Sequence, residues 1–328
     1  MKNKKRRQLL FILFILFVLG MIISLCQGPA KTGLNDLWNY LFRGDASNST
    51  IFQLRLSRVI LAFLVGASLS LSGAILQGYF QNPMAGPFVV GVSSGASFGA
   101  VLSLQLGLTF SFLGLSFQSL LSFATGFAIV YLVYLLSQKK GIFKVETLLL
   151  TGIAAGALAS ALTSFLIFLK SDSYEQAIFW LLGSFAYADW KQIFAILPYF
   201  LVCFVVAQWF AKDMNLLVLG DDTAQSLGCP VNRMRKIFLI LSTILAAAAV
   251  SVSGIIGFVG LIVPHWVRLL IGPDHRSLFF YSFFTGGVFL IFSDLLAKSL
   301  LSPTELPIGI ITAVIGAPFF IYLLNQRR

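Results

Sequence analysis

The sequence predicts an all-α, polytopic membrane protein of about ten transmembrane helices, and three observations predict it. Of the 328 residues, 58% are hydrophobic and 11% charged, against roughly 25% charged in soluble domains, so a water-soluble fold has too little polar surface to cover the chain. Apolar windows of about 20 residues, the length that crosses a bilayer as a helix, recur from Leu9 almost to the C-terminus. The basic residues also segregate to one side when those windows are threaded alternately through a membrane.

The windows run 9–25, 59–80, 89–106, 115–136, 148–169, 193–210, 237–253, 255–271, 278–300 and 308–324. The basic run before the first also fits a signal peptide, but the apolar stretch is long, and Leu25 before Cys26 spoils a lipoprotein-type cleavage site. The connection 27–57 contains Trp38, Tyr40 and Arg43 and reads as an outer loop with a short interfacial helix over 37–42. The connection 211–236 is polar and reads as short helices broken by Gly220, Gly228 and Pro230. Only Gly254 separates the seventh and eighth windows, which form either one bent element or two short ones. No stretch has the composition of a soluble domain, so 1–328 is one transmembrane domain.

Positive residues are retained on the cytoplasmic side. With the N-terminus inside, 16 of the 23 basic residues fall inside, within 2–7, 139–144, 212–236, 268–276 and 327–328. Lys31, Arg43, Arg55, Arg58, Lys170, Lys191 and Lys298 fall outside, where seven of the 12 acidic residues balance them. The formal +11 therefore sits on the cytoplasmic face, and no nucleic-acid partner is needed to explain it.

Small residues recur at every fourth position in Gly66, Ser70 and Ala74, in Gly91, Gly95 and Gly99, and in Gly152, Gly156, Ser160 and Ser164. Such stripes let helix backbones approach closely; the alternative is a stripe facing a pore. The connection QGYFQNPMAGP, 77–87, carries Gln77, Asn82 and Pro83. Its prolines break helices, and backbone freed at membrane depth must face protein or a water-filled cavity, so it is a candidate pathway element or a plain reverse turn. The stretch 253–276 is broken by glycines and Pro264, as in discontinuous transporter helices. His265 and Arg268 within it could form a proton relay, though both fall near the cytoplasmic end. Cys26, Cys203 and Cys229 lack metal-ligand spacing, so neither a metal nor a cofactor is expected.

RLSRVILAFLVGASLSLSGAILQGYFQNPMAGPFVVGVSSGASFGA, GIIGFVGLIVPHWVRLLIGPDHR and ELPIGIITAVIGAPFFIYLL, spread over 55–324, resemble the FecCD-type permeases of ATP-binding cassette importers for ferric siderophores, haem or cobalamin. The resemblance implies a cobalamin-importer-like permease fold in the cytoplasmic membrane with both termini cytoplasmic. It implies a homodimer, or a heterodimer with a close relative, around one path, with two ATPase subunits beneath and a substrate-binding protein outside. The chain has no G-x-x-x-x-G-K-[ST] phosphate loop, so ATP hydrolysis is expected on the partner and not here.

The resemblance assigns residues as well. LVLGDDTAQSLGCPVNR, 217–233, matches coupling helices that seat on the ATPase, with Gly220, Asp222, Ala224, Leu227 and Gly228 at matching places; an amphipathic loop is the bland alternative. Arg55 and Arg58 match basic residues that meet acidic residues of the binding protein, and Lys298 matches a third; snorkelling to headgroups is the alternative. The fifth window matches the path-lining helix, with Val145, Glu146 and Thr147 at its cytoplasmic gate and Gly152, Gly156 and Ser160 along the path. Glu146 is unusual beside a gate. Alternating access of the two copies, driven by ATP, is the implied mechanism. An ion-driven secondary transporter would want a mid-membrane carboxylate, and a membrane enzyme would want clustered His, Asp, Glu or Ser; neither pattern is present. A path of small and apolar groups suits a bulky chelate better than a bare ion, which needs ligands.

Overall fold

The computed structural model describes residues 2–27, 33–43, 49–112, 114–139, 142–143, 145–169 and 174–326. Lys31, Asp45, Lys140, Lys144, Lys170, Asp172, Arg327 and Arg328 of the charge assignment, with part of the outer loop, lie outside the described residues.

Each predicted window coincides with a helix. In chain order they are α1 (Lys2–Cys26), the short α2 (Leu34–Phe42), α3 (Ser49–Tyr79), α4 (Val92–Leu106), α5 (Phe117–Ser137), α6 (Val145–Leu169), α7 (Tyr174–Leu182), α8 (Trp190–Trp209), α9 (Ala211–Leu217), α10 (Asp221–Ser226), α11 (Val231–Ser253), α12 (Val259–Ile271), α13 (His275–Ser299) and α14 (Ile308–Gln326). Seven of them are long and apolar enough to cross a membrane, while α4, α12 and α14 are shorter apolar helices. The sequence reading lacked α7 and two two-residue hairpins, β1 (Ser111–Phe112) with β2 (Leu115–Ser116), and β3 (Gln138–Lys139) with β4 (Ile142–Phe143).

The seventh and eighth windows are two helices, and the break is five residues, 254–258, not one. The α11 C-terminus is held by Ser184, whose N–H donates to the Ser253 carbonyl at 2.8 Å.

Helix α3 is the core strut. Its 31 residues span about 46 Å at 1.5 Å per residue, beyond the roughly 30 Å hydrocarbon layer, so its ends reach past the apolar core. It packs on α13, α11 and α12. The stripe on α3 explains how: a Cβ on Gly66 would collide with the Gly286 carbonyl of α13, and one on Gly73 with the Gly260 backbone of α12. Gly95 and Gly99 likewise face α5 backbone at Leu121 and Thr125. These stripes pack helices within the chain, the first of the two readings.

Contacts sort the helix ends into two faces. One face gathers the start of α1, the end of α3, the α9–α10 segment and the starts of α11 and α13: the Tyr281 hydroxyl donates to Arg6 O at 2.8 Å, and Asn215 donates to Asp274 at 2.8 Å. The opposite face gathers the end of α1, the start of α3 and the end of α13. Trp266 of α12 meets Phe319 and Ile308 bonds Gly183 O, so α14 runs back toward the α9–α10 face.

Candidate functional site

At the first face, α10 is a single helical turn and a half set between glycines. Gly220 (φ 105°) precedes it and Gly228 (φ 85°) follows it, both in the region that a Cβ disfavours. Neither would meet another atom with an added Cβ, so the requirement is conformational. Ala224 is fully buried, whereas Asp222 and Leu227 are exposed, Leu227 at 59%. The five residues that the sequence singled out thus come together as one small projection: two turn-formers, one anchor and two outward side chains. Cys229, just behind it, is buried, which together with Asp213 and Asp221 pushes its thiol pKa up and keeps it unreactive.

Sequence reasoning missed what holds the projection. Arg235 of α11, 5% exposed, grips the Asp221 carboxylate with Nε and a terminal nitrogen and donates to the Tyr79 carbonyl at 3.1 Å. Its guanidinium lies 5.2 Å from the Tyr79 ring centre, close enough for a cation–π contact. Asp221 and Arg235 stand 14 residues apart, and no spacing rule connects them. On the other flank, Asn215 of α9 bonds Asp274 and the His275 backbone. The hydrogen bond from Arg276, assisted by Asn215, holds the Asp274 carboxyl down at about 2, so it is ionised at any physiological pH.

The 77–87 connection is a reverse turn packed on protein. Gln77 is buried and donates to Leu261 O at 2.9 Å, and the Asn82 side chain accepts from Met84 N at 2.9 Å. Asn82 is exposed and Pro83 half-buried. Val145 opens α6, Glu146 beside it is exposed, and Thr147 is half-buried. Gly152 and Gly156 lie against the backbone of Val89, Val90 and Gly91, and Ser160 bonds Ser94 at 3.3 Å. Another side of α6 exposes Leu150, Ile153, Leu158 and Phe165.

On the opposite face, Arg55, Arg58 and Lys298 come together, each with an internal partner. Arg55, 9% exposed, donates to Leu25 O at 2.6 Å. Lys298, 6% exposed, donates to the Ser24 hydroxyl at 2.6 Å and carbonyl at 3.1 Å. Arg58 forks onto Asp294 at 2.9–3.2 Å and onto Glu305 at 2.9 Å. The three cations staple α1, α3, α13 and the approach to α14. No spacing in the sequence signals these pairings, which join residues far apart along the chain.

A FecCD transport family model matches residues 15–326. The chain belongs to the FecCD transport family. Among family relatives, it is 45% identical over 275 residues to the cobalamin import system permease protein BtuC of Halobacterium salinarum, covering 84% of this chain and 73% of that one. It is 38% identical to the iron(3+)-hydroxamate import system permease protein FhuG of Bacillus subtilis over the whole of both chains. A solved metal-chelate-type ABC transporter in an inward-facing conformation superposes with a TM-score of 0.86 at 35% identity, over 98% of this chain and 99% of that one. This FecCD chain is therefore a membrane-spanning permease of an importer.

Proposed function

We propose that the chain works as one of two permease copies that pass a ferric siderophore or similar metal chelate inward. Two ATPase subunits seat on the α9–α10 face, and a binding protein docks on the face of Arg55, Arg58 and Lys298. This makes the α9–α10 face cytoplasmic and places both chain ends there, in agreement with the segregation of lysine and arginine. The observation that carries the reading is the α10 projection, in which a buried anchor and two glycine turns present Asp222 and Leu227 outward. That shape fits a groove on a partner.

The apolar α6 face supplies the second copy's contact and the wall of the path. The cavity between α5 and α11 holds about 130 Å³, below the roughly 300–1,000 Å³ of sites that enclose drug-sized ligands, and the reading puts the chelate's path between two copies. An ion-driven carrier is disfavoured: among the described residues the buried acidic side chain is Asp294, and Arg58 neutralises it. Cobalamin is the second reading for cargo, on the strength of the 45% identical relative.

The decisive measurement is uptake into proteoliposomes holding the permease and its ATPase, with the loaded binding protein outside. Uptake should require internal ATP, and excess cobalamin should leave siderophore uptake unchanged; uptake without ATPase sinks the reading. Asp222→Arg with Leu227→Arg should lower ATPase co-purification by about tenfold or more, as for loss of an interface hot spot, with permease abundance unchanged. Normal co-purification would remove α10 from the ATPase interface.

A further inference from the structure

Arg235 and Gln81 join the α10 projection to the connector that follows α3, and that connector lies against the path helix α6. Three links make the chain of contacts. Arg235 holds Asp221, the first residue of α10, and the carbonyl of Tyr79, the last residue of α3. Gln81, two residues beyond, donates its side-chain amide to Leu217 O at 2.9 Å, at the end of α9. Its own backbone is left-handed at φ 50°, a conformation that a non-glycine residue holds only when its surroundings fix it. Below it, Gly78 leaves room for Met214 of α9: a Cβ there would stand 2.7 Å from the Met214 sulfur.

The far end of the connector is equally tight. Val89, Val90 and Gly91 back directly onto Gly152 and Gly156 of α6, where a Cβ on Gly152 would stand 3.0 Å from the Val89 carbonyl and the Val90 Cα. A close-packed contact of backbone on backbone has no soft side chain to absorb displacement. The α9–α10 segment packs on α3, α11 and α13, and the 80–91 connector runs on from the end of α3 to the backbone contact with α6.

We propose that Arg235 and Gln81 are positioning residues that make the α9–α10 segment and the 80–91 connector one rigid body, through which the motor's displacement reaches α6. This rests on the proposed ATPase contact and adds to it the route and its two fasteners. Two states are needed for any such coupling, and the fasteners serve by staying closed in both.

The test uses the complete complex in proteoliposomes, with wild type in parallel. Gln81→Met keeps the side chain's length and removes the donor; Arg235→Lys keeps the charge and loses the fork. Gln81→Met, which leaves the grip on Asp221 intact, should assemble with the ATPase and retain basal hydrolysis, while in both variants uptake and the stimulation of hydrolysis by loaded binding protein fall by about tenfold, within the range seen for coupling residues. Gln81→Lys, which restores a donor, should recover uptake. In a background without native cysteines, Gln81→Cys and Val218→Cys bridged by a short bifunctional thiol reagent should keep transporting, because the two segments move together. Arrest by the bridge, or unchanged uptake in both Gln81→Met and Arg235→Lys, overturns the inference. Wild type that shows no ATP-dependent uptake overturns the proposed function instead, so the two failures are distinct.

Discussion

Replacing Arg58 by leucine should destabilise the protein by about 3–5 kcal/mol, the usual cost of stranding one member of a buried ion pair. Asp294 is 2% exposed at its side chain and takes two prongs of the guanidinium; without Arg58 its charge stays in a site that water scarcely reaches. Glu305 is more forgiving, since its side chain is 28% exposed. The expected result is lower accumulation in membranes and a lower thermal midpoint in detergent. Arg58→Lys should fall between, because an ammonium cannot fork onto two carboxylates at once. Pairing Arg58→Leu with Asp294→Asn should restore much of the midpoint by removing the stranded charge. A single Arg58→Leu variant that melts like wild type would show that the pair contributes nothing.

The same pair of variants separates structure from docking. All three guanidinium nitrogens of Arg58 are already engaged, so a reversal such as Arg58→Glu would stop uptake simply by damaging the fold. In the refolded Arg58→Leu/Asp294→Asn protein that confusion is gone. If Arg58 also meets the binding protein, uptake stays low there although the midpoint recovers; if uptake recovers with the midpoint, the docking role passes to other residues of that face.

The ten long apolar helices were legible because a bilayer imposes one rule on every span: enough apolar residues in a row and all backbone groups bonded internally. Helix α7 escaped because nine residues, YEQAIFWLL, are too few for such a window and begin with Tyr174, Glu175 and Gln176. The α10 projection was legible through its two glycines, whose positive φ ties a local sequence to a local shape. Its fasteners were not. Arg235 and Asp221 are separated by a turn, and Arg58 and Asp294 by 236 residues; such pairs are set by helix packing, which a single sequence does not display. The direction of Arg55, Arg58 and Lys298 was similarly hidden: their charge suggested a partner, and their contacts show that each secures the chain's own helix ends.

Gly73→Ala should be the most disruptive single methyl that α3 can receive. The added Cβ would overlap the carbonyl, carbonyl carbon and Cα of Gly260, and because these are backbone atoms no rotamer change relieves the clash. Helix α12 must move away from α3, straining the Gln77 bond to Leu261 O beside it. Overpacking of this kind costs about 1–3 kcal/mol or more. Gly257→Ala is the control, since an added Cβ there meets nothing within 4 Å, and its midpoint should match wild type. Shrinking a neighbour rescues most overpacked sites, but here the neighbour is already glycine, so a second-site reversion should have to arise elsewhere on α12 or its partners. If Gly73→Ala melts within error of Gly257→Ala, the contact between α3 and α12 is looser than backbone on backbone, and the close approach that seats α12 against the strut is wrong.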